Sequence, residues 1–276
     1  MRTSLIALAI SAALAAGCQT VETTKQGTVG VDRQQHMLVS EQEVEASAQK
    51  QYAQMMAEAQ KKGALDKDAA QVQRIKTITS RLIPQTAVFR PDAQKWQWEV
   101  HVLSTSEVNA WCMPGGKMAM YTGLIEKLQA TDDELAAVMG HEISHALREH
   151  SREAISRQMA TQTAVGVAGA LFGVGQLGQS LGNMVADVTL NLPNSRTNET
   201  EADRIGVELA ARAGYDPRAA IAMWQRMEKL GGAQPPKLLA THPPTADRIK
   251  ELQAVSEKLV PVYEQAKAGG NSSAGK

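Results

Sequence analysis

His141, Glu142 and His145 form the pattern H-E-x-x-H. That spacing does chemistry on a helix, where residues four apart share a face and both imidazoles can reach one metal ion. Glu142 follows the first ligand and can face a metal-activated water, where a carboxylate acts as general base. A catalytic zinc takes three protein ligands, so the motif is one short. Glu149 continues the 141/145 stripe but stands about 9 Å along the axis from their midpoint, too far to share the ion. His150 points to another face of a continuous helix. The third ligand must therefore come from another element. The stretch Asn198-Glu199-Thr200-Glu201-Ala202-Asp203-Arg204-Ile205-Gly206 reads as a helix start with Glu199 and Asp203 four apart on one face. Glu201 faces elsewhere. Glu199 is expected as the third zinc ligand. Asp203 is expected to accept a hydrogen bond from a ligand imidazole and fix its tautomer.

The elements that must position these groups are legible nearby. Thr131 and Glu134 form a capping box, with Asp132 and Asp133 in the first turn where negative charge suits the helix dipole. Leu135, Val138, Met139 and Ile143 then give an apolar stripe at helical spacing. A helix over 131–150, buried on one side and metal-binding on another, is predicted. Residues 109–113 and 117–122 flank the turn Pro114-Gly115-Gly116 and read as a hairpin. Lys117, Met118, Ala119, Met120 and Tyr121 are taken as a sheet-edge strand that receives substrate by main-chain pairing; an internal core strand is the alternative.

HEISH at 141–145, NETEAD at 198–203 and His242-Pro243-x-x-x-x-Arg248, with the segment 109–123 ahead of them, together resemble the HtpX- and OMA-type zinc metallopeptidases. This is peptidase family M48, which also holds the CAAX prenyl proteases. The likeness spans roughly residues 70–255, with its motifs in the family's order. It implies a zincin-like (gluzincin) α+β fold, mostly helical, with a small sheet beside the HExxH helix. It also implies one Zn²⁺ per chain, the third ligand coming from the glutamate of E-x-x-x-D. His242 is counted with Glu142 among the catalytic residues. It would either donate to the oxyanion or occupy the fourth zinc position as a reversible self-inhibitor, the role that resemblance to periplasmic relatives implies. A loop histidine packed on Pro243 is the bland alternative. Arg248 would orient this loop through an ion pair, and Tyr215 is a weaker oxyanion candidate.

The rest of the chain frames that domain. Its 276 residues carry 29 basic and 29 acidic side chains, and no basic run, which argues against a nucleic-acid partner. Residues 1–17 read as a lipoprotein-type signal peptide, apolar over 5–16 and too short for a stable span. Gly17 precedes Cys18 as in a lipobox, although the usual leucine is displaced by one place. Cys18 is the expected lipidation site and membrane anchor. Gln19 after it favours the outer membrane, by resemblance to Gram-negative sorting rules. Cys112 then has no partner and reads as a packed thiol. Residues 18–39 read as a polar linker and 40–262 as the metallopeptidase domain, with 263–276 as a disordered tail. Scaffold helices are expected over 40–62 and 66–83, with a strand over 96–103. Further helices are expected from 198 to 213, from 217 to 230, and from about 245. His101 is expected on the strand's polar face. Residues 163–190 are Gly-rich and apolar, where relatives of HtpX carry transmembrane helices. The apolar run of 164–175 is about half the length a span needs. It would form a mobile lid that touches lipid or a helical hairpin in the core.

The expected activity is hydrolysis of peptide bonds in unfolded or misassembled proteins, on the periplasmic side of the bacterial envelope. The competing class is a non-proteolytic, chaperone-like assembly factor whose zinc is latched or structural, with four protein ligands. A membrane-embedded prenyl-protein protease is disfavoured by the lack of long spans, and no group that would bind a substrate terminus marks an exopeptidase.

Overall fold

The computed structural model describes residues 19–164, 174–230 and 235–273. The expected leader, Cys18 and most of the apolar run of 164–175 lie outside the described residues. Helix α1 is Glu41–Lys61 and α2 is Ala69–Leu82, followed by two short 3-10 turns, Ile83–Val88 and Pro91–Lys95. Strands β3 (Glu99–Leu103), β4 (Ala110–Met113) and β5 (Lys117–Tyr121) lead to a short α3, Thr122–Lys127. Then come α4 (Asp132–Leu147), α5 (His150–Ala164), α6 (Val174–Leu190) and α7 (Arg196–Arg212), followed by α8 (Ala219–Lys229), α9 (Lys237–Thr241) and α10 (Ala246–Ser273). Two short strands, β1 (Gln19–Val21) and β2 (Gln35–Met37), precede them as an antiparallel pair. The architecture is α+β and mostly helical, as expected.

α4 is the central element. Thr131 and Glu134 close the capping box, and Leu135, Val138, Met139 and Ile143 are all buried. One side of α4 packs on α7, which packs in turn on α10; the other side meets β4. The sheet order is β3-β5-β4, with β3 parallel and β4 antiparallel to β5. Strand alternation sends side chains to two cores. Val102, Ala110, Cys112, Met118 and Met120 join the core of α2, α4, α7, α8 and α10. Leu103, Trp111, Met113 and Ala119 join a second core with Val44, Ala48 and Tyr52 of α1 and Val185 and Val188 of α6.

Several expectations are corrected. Residues 117–121 are not an edge strand: β5 pairs on both sides, so its main chain is committed. The edge on the α4 side is β4. The hydrogen bond from Tyr121 N to Asn109 O sets the alternation, which turns the main-chain groups of Ala110 and Cys112 outward from the sheet. Residues 19–39 are not a loose linker. Val31, Gln35 and Met37 are buried, and the segment's polar groups pair with buried helix groups: the Gln35 side chain donates from Nε2 to Arg148 O at 2.7 Å, and the Thr28 main-chain N–H donates to Glu208 Oε2 at 2.9 Å. Residues 263–273 are not a disordered tail, because α10 continues through Pro261 to Ser273, with Val262 and Tyr263 against the core. The expected strand over 96–103 begins at Glu99, and Trp96 and Trp98 pack on each other before it. α8 starts at Ala219 after a turn capped by Asp216, and Leu230 beyond its end is exposed. In the stretch 163–190, the described α6 packs on α1, so its C-terminal half is core rather than lid. No helix of the described residues is long and apolar enough to cross a membrane.

Candidate metal centre

α4 and α7 cross with almost nothing between their backbones. A Cβ on Gly140 would fall 2.6 Å from Gly206 O, and one on Gly206 would fall 2.7 Å from His141 N. This close approach needs glycine on both helices. It sets the first turn of α7, capped by Ser195, beside the HExxH turn.

Glu199 therefore reaches between the two imidazoles. Its Oε2 lies 3.5 Å from His141 Nε2 and its Oε1 3.4 Å from His145 Nε2, and the two Nε2 atoms are 3.1 Å apart. His242, capping the end of α9, completes the group: its Nδ1 is 2.9 Å from Glu199 Oε1 and 3.3 Å from His141 Nε2. One ligand atom from each of the four residues lies within 4.8 Å of the others, and all four are buried. Ligands at about 2.0–2.1 Å in a tetrahedron sit about 3.3 Å apart, close to the 3.1 Å between His141 and His145, the 3.3 Å between His141 and His242 and the 3.4 Å from His145 to Glu199 Oε1. The donor set of imidazoles and a carboxylate suits a small divalent transition-metal ion.

The charge balance agrees. Burial disfavours an imidazolium at His141, yet Asp203 and Glu199 raise its pKa to about 10, so the cluster calls for positive charge. Burial also opposes the Glu199 carboxylate, but the surrounding imidazoles hold it well below the ordinary range. Burial lowers His145 well below the usual histidine value, as suits a neutral ligand. Burial raises Glu142 above the ordinary carboxylate range, which makes it a better proton carrier.

Supporting groups lock the ligands. Asp203 Oδ1 lies 3.0 Å from His141 Nδ1. Arg248 grips Asp203 with Nε and a terminal nitrogen at 2.8 and 2.9 Å, holds Pro243 O, and lies 2.7 Å from Glu199 Oε2. Its guanidinium stacks over Trp224, whose ring abuts His141 edge-on. Arg248 thus ties the His242 loop to the third-ligand helix. Glu142 has His242 Nε2 at 3.3 Å from Oε1, and the Cys112 backbone on the outward edge of β4 lies near enough to favour its charged form. The same edge is engaged one strand-end away, where Leu238 N of α9 donates to Val108 O.

The structure thus brings together His141, Glu142, His145, Glu199, Asp203, His242 and Arg248. Three other candidates lie elsewhere. His101 pairs with Asp66 and Glu99, Tyr215 packs beneath Arg81, and Glu149 pairs with Arg90 and Arg152. Cys112 is a buried free thiol, pushed well above its ordinary pKa by burial, and so is a packing residue. Two contacts escaped sequence reasoning: His150 lies directly behind His145, and Glu201 lies behind His150.

A model of peptidase family M48 matches residues 69–256. The mitochondrial metalloendopeptidase OMA1 of Arabidopsis thaliana is 38% identical over 180 residues, covering 62% of this chain and 35% of the plant protein. The metalloprotease YcaL of Escherichia coli is 27% identical over 253 residues, covering 90% of this chain and 95% of YcaL. The beta-barrel assembly-enhancing protease of Yersinia pestis is 28% identical over 204 residues, 70% of this chain and 40% of that protein. The chain spans 35 to 50% of the length of the plant and yeast OMA1 proteins it matches.

Proposed function

This chain belongs to peptidase family M48, and from that we propose that it is a zinc-dependent endopeptidase acting on unfolded or misassembled proteins at the bacterial envelope. The observation that carries the reading is the closure of His141, His145 and Glu199 around one point, with Glu142 alongside. A zinc ion held there supplies Lewis acidity toward the scissile carbonyl and acidifies a water. The chain's own residues do the rest. Glu142 takes the proton of the attacking water and delivers it to the leaving amine. Asp203 keeps the His141 proton on Nδ1, leaving Nε2 free to ligate. The outward main chain of β4 at Ala110 and Cys112 is the edge on which an extended substrate would pair, since β4 pairs with β5 on one side only and packs beside α4, which carries Glu142.

We read His242 as a latch: its Nδ1 sits among the ligand atoms and its Nε2 faces Glu142, so it occupies the place where substrate would react. The same four-ligand group favours a second reading, a closed structural metal site in a non-proteolytic assembly factor. The signal-like leader with Cys18 and the bacterial relatives support an envelope location, with outer-membrane lipidation as the finer proposal. Cleavage of casein by the purified protein tests the reading. Activity is expected to vanish on chelation and to return with stoichiometric zinc; a zinc-loaded wild type and His242→Ala that both leave casein intact would favour the assembly factor.

A further inference from the structure

One buried histidine has no part in the chemistry above. His150 opens α5 and is 1% exposed. On a straight helix, positions 145 and 150 point about 140° apart, at 100° per residue. The chain breaks between them: α4 ends at Leu147, Arg148 caps it, and Glu149 adopts a left-handed φ of 51°. That turn folds the His150 ring back against His145. His150 Nδ1 lies 2.8 Å from His145 Nδ1, and His150 Nε2 lies 3.1 Å from Glu201 Oε2.

The roles along this chain follow from the metal site. His145 presents Nε2 to the ligand group, so as a neutral ligand it carries its proton on Nδ1. That N–H needs an acceptor, and His150 Nδ1 is the atom in reach. His150 must then bear its proton on Nε2, which points at Glu201. Arg148 donates to the same Glu201 oxygen at 2.9 Å and Arg33 to the other at 2.6 Å, which keeps the carboxylate an acceptor. Each contact leaves one arrangement of protons for the next.

We propose that His150 is a positioning residue for the metal ligand His145. It fixes the ring's tautomer and orientation and is itself oriented by Glu201. His141 has a carboxylate, Asp203, behind it; His145 has an imidazole, with the carboxylate one step further back. The inference rests on reading the four-residue group as a metal centre.

The test is zinc affinity of the purified protein, measured by competition with a chromophoric chelator. His150→Leu removes the acceptor and is expected to weaken zinc binding by about 10- to 100-fold. His150→Gln offers a carbonyl to His145 and an amide N–H to Glu201, and is expected to restore most of the affinity. Wild-type affinity in His150→Leu, or equal losses in the two variants, would overturn the proposal. A long-range ¹H–¹⁵N spectrum of the zinc-loaded wild type reads the tautomers directly among the six histidines and needs no variant to fold. A neutral His150 protonated on Nε2 is expected; an imidazolium or an Nδ1–H form would overturn the proposal. If the wild type binds no zinc, the metal-centre reading fails and takes this one with it; zinc binding unaffected by His150→Leu sinks this one alone.

Discussion

Glu142 and His242 face each other across 3.3 Å, and both are buried. A general base needs its proton acceptor free to reach water, and here an imidazole stands in that place. If His242 is a latch, removing it opens the site without removing a required ligand. His242→Ala is accordingly expected to cleave casein several-fold faster than wild type while keeping its metal. A slower variant would instead mark His242 as an oxyanion donor. At this scale much was legible. HExxH and E-x-x-x-D are local spacings on single helices, so the shared faces of His141 with His145 and of Glu199 with Asp203 could be read directly. His150 could not, because its approach to His145 depends on the left-handed turn at Glu149, which interrupts the periodicity from which faces are read.

Between elements, the glycine pair Gly140/Gly206 sets how near α7 comes to α4, and hence whether Glu199 reaches both imidazoles. Gly206→Ala must push a methyl into the His141 backbone. It is expected to cost about 1–3 kcal/mol in urea unfolding and to weaken metal binding in parallel. Unchanged stability and affinity would mean the helices separate freely and that Glu199 is not placed by this contact. The helices and the β4–β5 hairpin were visible in the sequence because capping, stripes and turn residues are local. The parallel partner β3 was not, since nothing in residues 99–103 announces which strand lies beside them. That is why β5, sound as a strand, was misplaced at the edge it yields to β4.

Across the whole molecule, the N-terminal segment is part of the domain. Arg33 bridges Glu153 and Glu201, joining residues 19–39 to α5 and α7. Burial opposes charge on both carboxylates, yet Arg33 and their other partners hold both below the ordinary 4.5. Groups depressed in the folded state stabilise it above their unfolded pKa, and that contribution is lost as pH falls below it. Stability should therefore drop on acidification below about pH 4.5, and more steeply in wild type than in Arg33→Ala, where the carboxylates return toward their ordinary values. Superimposable pH profiles would contradict this. The segment's polar composition concealed its role, because its side chains and the Thr28 main-chain N–H pair with charges that sit far away in the sequence, at Arg148, Glu153, Glu201 and Glu208. The proposed peptidase activity requires Glu142 to act beside a metal held by its neighbours. The most direct measurement is casein cleavage by Glu142→Gln, with the metal content of the same sample determined. The expected result is one metal ion per chain, as in wild type, with cleavage reduced by about 10²- to 10⁴-fold. Cleavage at the wild-type rate with metal in place would contradict it.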